Sequence, residues 1–468
     1  MKEAILKTRS FFNLLKRSLA GSESNYTSGS INKTIFLLSV PMVAELLMES
    51  LFVCSNLFFV SRLGTNAISI AGAATTFITF CYSVSIGLGI ASSAMISRRV
   101  GEKKFKAAGN TAMQVIYLTV PIAAIISMVC SIWAAEIMQA MGLSAAMIQL
   151  GASYSVLMFA SSGFLILRIV VNGIFRGAGD ASTAMKILWL SNAVNILLCP
   201  VFIFGLGPIP AYGLLGVGLA TLIARVIGVL HQVWHLVQGK TILRIGRAQL
   251  LINKEILKRV VKLAFGGTVQ FIIPASSWVI MIKIMSHFGS NALAGYILAQ
   301  RVTSIATMPA WGLGNAAGIL TGQNLGAKQP ERAEKSVWRA GMFNMVFLIS
   351  IGISWIFLAS PVVRIFTDNP EVISFSTRYI HFISMAYILL GYTMVISRAL
   401  NAAGEVRSVT WLYILMFYIV QIPLAYALGI SFKLGSNGVF SAILISEIVL
   451  AAACITVFRK GGWKHTKV

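Results

Sequence analysis

Acidic residues are scarce in this sequence. Asp and Glu number 14 against 38 Lys and Arg, for a formal net charge of +24. Charge of either sign is scarce too: charged residues make up 11% of the chain, where soluble domains carry about 25%. That excludes an ordinary soluble globular protein. The five cysteines (Cys54, Cys81, Cys130, Cys199 and Cys454) form no CxxC pair, so neither a disulfide framework nor a zinc site is indicated. GxSxG, HExxH, GxxxxGK[ST] and a dinucleotide fingerprint after a strand are all missing, which leaves no hydrolase, zincin or nucleotide-driven chemistry to build on. Residues 1–30 have no long apolar core or cleavage site, so they read as a cytoplasmic tail rather than a signal peptide.

What the sequence has in abundance is apolar length. Hydrophobic residues make up 57% of the chain, and the mean hydropathy is +0.82. Runs long enough to cross a ~30 Å hydrocarbon core occur near 34–60, 68–97, 111–135, 149–173, 183–206, 213–237, 258–284, 291–321, 340–360, 374–399, 408–430 and 437–458. The expected fold is an all-α integral membrane protein with twelve transmembrane helices. Most loop cations follow every second span: Arg98, Arg99, Lys103, Lys104 and Lys106; then Lys240, Arg244, Arg247, Lys254, Lys258 and Arg259; then Lys328, Arg332 and Lys335. This is the positive-inside pattern. It accounts for the net charge without nucleic acid and predicts both termini in the cytoplasm, with the chain in the inner cell membrane. The sequons at Asn25 and Asn32 fall on that side and are expected to be idle.

One offset, 225 residues, aligns the two halves. Gly64 pairs with Gly289, Asn66 with Asn291, Gly87-Leu88-Gly89 with Gly312-Leu313-Gly314, Gly101 with Gly326, Gly179-Asp180 with Gly404-Glu405, and Gly213 with Gly438. Six helices per repeat is an even number, so the halves share an orientation and form parallel repeats. The expected organisation is a tail (1–30), an N-lobe (31–237), a cytoplasmic linker (238–257), a C-lobe (258–459) and a short tail (460–468). Such pseudo-symmetric lobes point to a secondary transporter that works by rocking alternating access.

Three acids fall well inside spans: Glu45, Glu49 and Glu447. Intramembrane carboxylates are expensive and default to functional sites. Glu45 and Glu49 lie one helical turn apart on one stripe, where mutual repulsion favours keeping at least one proton. Asn56, seven residues on, stays near that stripe. Their alternative reading is a structural hydrogen bond to a neighbouring helix, which for Glu447 with Ser446 beside it stands at even odds. Asn172, Asn192, Asn195 and Gln270 are amides at membrane depth, fit either to line a cavity or to hold helices together. Arg168, Arg225, Lys283, Arg301 and Arg398 lie toward span ends, from where most can snorkel. His231 and His235 have metal-like i, i+4 spacing but no evident third ligand, so they read as interfacial, as does Glu136.

Several stretches resemble the multidrug and toxic compound extrusion (MATE) family over nearly the whole chain. They are FFVSRLGTNAISIAG, FRGAGDASTA, NILLCPVFIFGLGP, GLGNAAGILTGQNLGAKQPERA and QIPLAYALG. The resemblance implies a two-lobed exporter that moves lipophilic, often cationic, organic compounds outward in exchange for H+ or Na+, without a cofactor. Family members commonly carry Asp where this chain has Asn56 and Cys199, and Gln where it has Glu49. Asn172 and Asn195 match amides that line the N-lobe cavity in the family.

The expectation is therefore an antiporter, not an enzyme. Glu49, Glu45 and Glu447 would bind the coupling ion (H+ before Na+). Asn56, Asn172, Asn195, Cys199 and Gln270 would shape the substrate cavity, in a monomer embedded in the bilayer. The alternative is a flippase of a related family moving a lipid-linked saccharide, which favours several Arg facing phosphate. SRRVGEKKF does not fit the loop pattern of a major-facilitator symporter.

Overall fold

The computed structural model describes residues 12–21, 26–238, 242, 243, 245, 249 and 251–466. Residues 1–11 of the expected tail, Asn25 and the linker cations Lys240, Arg244 and Arg247 lie outside them. Each expected span is a helix. In the first half these are α1 (Ile31–Ser61), α2 (Thr65–Gly101), α3 (Phe105–Ile132), α4 (Ala145–Gly177), α5 (Ala181–Phe204) and α6 (Leu214–Val237). In the second they are α7 (Lys254–Ser286), α8 (Ser290–Gly326), α9 (Pro330–Arg364), α10 (Pro370–Ala403), α11 (Val406–Ser431) and α12 (Gly435–Arg459). Eleven of them are long and apolar enough to cross a bilayer. The other, α8, has the length, at 37 residues, but is diluted by polar groups such as Gln300, Arg301, Asn315 and Asn324. Short helices occupy 12–20 and Ala134–Ala140.

Local chemistry sets the helix ends. The Asp180 carboxylate accepts the Thr183 N–H at 3.0 Å to start α5, and Asn369 accepts from Glu371 at 3.0 Å, with Pro370 opening α10. α4 is interrupted at Ser161. The Ser161 and Ser162 hydroxyls donate to the carbonyls of Met158 (2.8 Å) and Phe159 (2.6 Å), a back-bonding that bends helices.

The 225-residue repeat is written in the backbone. Gly64 and Gly289 have φ 93° and 95°, Gly179 and Gly404 have φ 90° and 97°, and Lys103 and Lys328 both have φ 58°. A positive φ is uncommon outside glycine. Its recurrence at two lysines 225 residues apart shows that the repeat preserves turn geometry where the side chain does not call for it.

The chain divides into two compact units. One holds Ala44–Thr268 with the described part of Met1–Ser24. Its core gathers Ile70, Phe159, Leu165, Ile203 and Val217, with Phe77 and Phe159 edge to face at 5.4 Å. α2 and α4 cross closely there: a Cβ on Gly173 would stand 3.0 Å from the Gly89 carbonyl oxygen and 3.1 Å from its Cα. The other unit holds Asn25–Val43 and Val269–Val468. Its core gathers Met285, Leu348, Ile380 and Phe440. Tyr379 packs edge to face against both Tyr296 and Phe440, each at 5.3 Å, a favoured aromatic geometry.

Candidate functional site

In the first unit, α4 carries Arg168, Asn172 and Arg176 at intervals of four, which places them on one stripe. The matching stripe on α1 is Glu45 and Glu49. Oε1 of Glu45 accepts from Arg176 Nη1 at 3.1 Å and from Asn172 Nδ2 at 2.9 Å. Glu49 takes Arg168 Nη2 at 3.3 Å and 3.4 Å on its two oxygens. The higher-numbered acid meets the lower-numbered arginine, as two antiparallel helices require. α6 supports the array: Gln232 Nε2 donates to Asn172 Oδ1 at 2.7 Å and to the Arg168 carbonyl at 2.9 Å. Arg225 Nη1 donates to Ser161 Oγ at 2.6 Å, where α4 breaks. α5 holds α1 from another side, with Asn192 Nδ2 on the Met48 carbonyl at 3.0 Å.

Two expectations change. Glu45 and Glu49 do not sit as a mutually repelling pair sharing a proton; each faces its own guanidinium. Arg168 and Arg225 do not snorkel: they are 4% and 7% exposed, because carboxylate and hydroxyl partners wait for them inside. The array still has spare capacity. Glu45 Oε2, Arg168 Nε and Gln232 Oε1 are buried without a hydrogen-bond partner.

The remaining N-lobe candidates form a second, smaller group. Cys199 Sγ lies 3.6 Å from Asn56 Oδ1, and Asn195 Nδ2 donates to Thr221 Oγ1 at 3.3 Å. Asn56 is seven residues beyond Glu49 on α1, or about 10 Å along the axis. The structure thus brings Asn172 to the carboxylates and places Asn56, Asn195 and Cys199 beyond them. His231 and His235 stack at 4.9 Å beside Trp234, and Glu136 is exposed.

In the second unit Gln270 is not on a cavity wall. It exchanges reciprocal amide bonds with Asn401 (3.0 and 2.9 Å) and also donates to the Val406 carbonyl at 2.9 Å, so its role is to clamp α7, α10 and α11 together. Glu447 stands apart from it and lines a cavity of about 210 Å³ among α7, α8, α10, α11 and α12.

Arg176 was the residue missed in the sequence. Near a span end it passes for a loop-side cation, and only the spacing of Arg168, Asn172 and Arg176 against Glu45 and Glu49 marks it as a partner.

The MatE family profile matches residues 41–201 and 268–427, one stretch in each repeat. The probable multidrug resistance protein YoeA of Bacillus subtilis is 27% identical over 443 residues, 92% of this chain and 95% of that protein. An FAD transporter of Shewanella oneidensis is 26% identical over 91% of this chain and 94% of its own length. Among solved structures, an outward-facing MATE transporter of the MOP superfamily superposes with TM-score 0.88 at 23% identity, covering 94% of this chain and 98% of that one. A MOP-superfamily transporter from Pyrococcus furiosus, described as having a binding pocket of reverse polarity, superposes with TM-score 0.86 at 23% identity, covering 93% and 96%. With both repeats matched by the profile and the two-lobed helical fold in place, the chain belongs to the MatE family of membrane transporters.

Proposed function

We propose that the protein is a proton-driven exporter of lipophilic, often cationic, organic compounds. It works as a monomer by alternating access in the inner cell membrane, with both termini in the cytoplasm. The observation that carries this reading is the α1–α4 array, in which two membrane-depth carboxylates are each held by a guanidinium. Protonating Glu49 or Glu45 removes the charge its arginine is paired with. Leaving one member of a buried ion pair uncompensated costs about 3–5 kcal/mol, enough to move a two-state equilibrium by two to three orders of magnitude. A proton needs no coordination sphere of its own. Sodium would have to displace Arg168 or Arg176 to reach the same oxygens, so the geometry favours H+. Asn172 and Gln232 relay the change to α6, and Asn56, Asn195 and Cys199 shape the substrate side of the lobe.

The test is efflux of a fluorescent cationic dye from proteoliposomes, with pH and sodium gradients imposed separately. Transport driven by the pH gradient and lost in Glu49→Gln is the expected result. A Glu49→Gln protein that pumps normally under that gradient removes the reading. A second cargo class has one specific observation in its favour: Arg168 and Arg225 are buried, beside a third guanidinium on Arg176, and a related protein is an FAD transporter, whose cargo bears phosphate. Including FAD as a parallel cargo in the same vesicles separates the two.

A further inference from the structure

The cavity of the second unit is not used by the coupling array, and its lining is chemically one-sided. Glu447 is the only charged residue on its walls among the described residues. Three buried atoms of the lining have no hydrogen-bond partner: Ser277 Oγ, Gln421 Oε1 and Glu447 Oε2. They come from three different helices, α7, α11 and α12, and all three can accept a hydrogen bond. Buried acceptors left unmade cost free energy, so three of them converging on one space is a demand for a donor. Tyr379 makes the contrast. Its hydroxyl donates to Gln300 Oε1 at 2.5 Å, so the wall is internally satisfied where two of its own groups meet.

A second, independent observation falls on the same wall. α11 is π-helical over Leu415–Gln421, and both Phe417 and Gln421 from this stretch line the cavity. Pro423, two residues on, lacks the N–H that would close an ordinary turn, and single π turns within α-helices gather at functional sites. Aromatic faces from Trp278, Tyr296 and Phe417 complete the lining. Such faces attract a cation.

We propose that this cavity is a separate binding site for a small primary amine, taken up as its ammonium ion. A primary ammonium brings three N–H donors to the three orphaned acceptors, its charge meets Glu447, and a short apolar or aromatic tail lies on Trp278 and Phe417. Size limits the occupant. At about 210 Å³ the cavity lies below the ~300–1,000 Å³ of drug-sized pockets, so bulky cationic dyes do not fit it. A quaternary ammonium of equal charge offers no N–H and leaves all three acceptors unmet.

The experiment is isothermal titration of the full chain in nanodiscs with phenethylamine, its N,N,N-trimethyl analogue and the neutral isostere 2-phenylethanol. It is read at equilibrium with no gradient, so its outcome is independent of the coupling reading above. Phenethylamine is expected to bind at least tenfold more tightly than either analogue. Glu447→Gln is expected to abolish that preference, and Ser277→Ala to weaken amine binding severalfold. The wild-type selectivity stands as a test even where a variant misfolds. Equal binding of the trimethyl analogue, unchanged binding in a folded Glu447→Gln protein, or sodium binding without amine binding would each overturn the proposal.

Discussion

Glu45 and Gln270 stand 225 residues apart, at the same position of the two repeats, and each reaches a partner 131 residues downstream, Arg176 and Asn401 respectively. The bond is the same and the charge is not. The repeat also places Glu49 opposite Pro274 and Arg168 opposite Thr393. One lobe therefore holds ion pairs where the other holds neutral contacts.

That equivalence gives a direct test. Glu45→Gln alone leaves Arg176 buried without its counter-charge and should lower the unfolding midpoint in detergent, by an amount corresponding to about 3–5 kcal/mol. The double variant Glu45→Gln/Arg176→Asn rebuilds the neutral pair of the other lobe. It should recover most of that stability while pH-driven efflux stays lost.

Arg168 grips Glu49 with one nitrogen between two oxygens. Lysine keeps the charge but not the planar fork. Arg168→Lys should retain measurable but reduced pH-driven efflux, and Arg168→Ala should abolish it, in the proteoliposome assay.

Gln270 holds Asn401 and the Val406 carbonyl. Gln270→Leu orphans Asn401 in a buried site, at a cost of about 1–3 kcal/mol. The expected readout is a lowered unfolding midpoint, with dye selectivity among the folded molecules unchanged. Altered selectivity would return Gln270 to the cavity wall.

The Gly173 approach to Gly89 leaves no room for a methyl group against backbone. Gly173→Ala should destabilise by about 1–3 kcal/mol through overpacking, measured by detergent unfolding.

Glu102, beyond the end of α2, sits 3.0 Å from Arg99 and 3.1 Å from Lys104. Partial burial pushes its carboxyl up, but the two cations outweigh this and hold it below its ordinary value of 4.5. A depressed folded value contributes stability that is present above the unfolded value and lost as pH falls through the folded one. Glu102→Gln should therefore flatten the acid limb of the unfolding profile below pH ~4.5 and leave the neutral plateau nearly unchanged.

Span count, repeat and family were legible because they rest on long-range regularities: apolar length, a constant offset, and cations after alternate helices. Glu45, Glu49 and Asn172 were legible as isolated polar groups in apolar runs. What they touch was not. Whether Arg168 snorkels or turns inward depends on which helix lies beside α4, and a single helix carries no record of that. Gln270 looked like a cavity amide for the same reason, since nothing on α7 announces that Asn401 is waiting. The amine cavity was the least visible, being assembled from single residues on five helices with no shared spacing.

The unusual wind of α11 has one more effect. α5 and α11 are repeat counterparts, yet α5 has 24 residues and α11 has 26. α11 contains two π-helical stretches, Leu415–Gln421 and Ala427–Ser431. Each wide turn takes in about one extra residue, so α11 accommodates its longer chain without turning its far end away from α12. An added residue in an ordinary helix would rotate everything after it by about 100°. The two swellings work as phase correctors. Deleting one residue from either should straighten the coil locally and swing the side chains on one side of it, Gln421 among them, onto a different face.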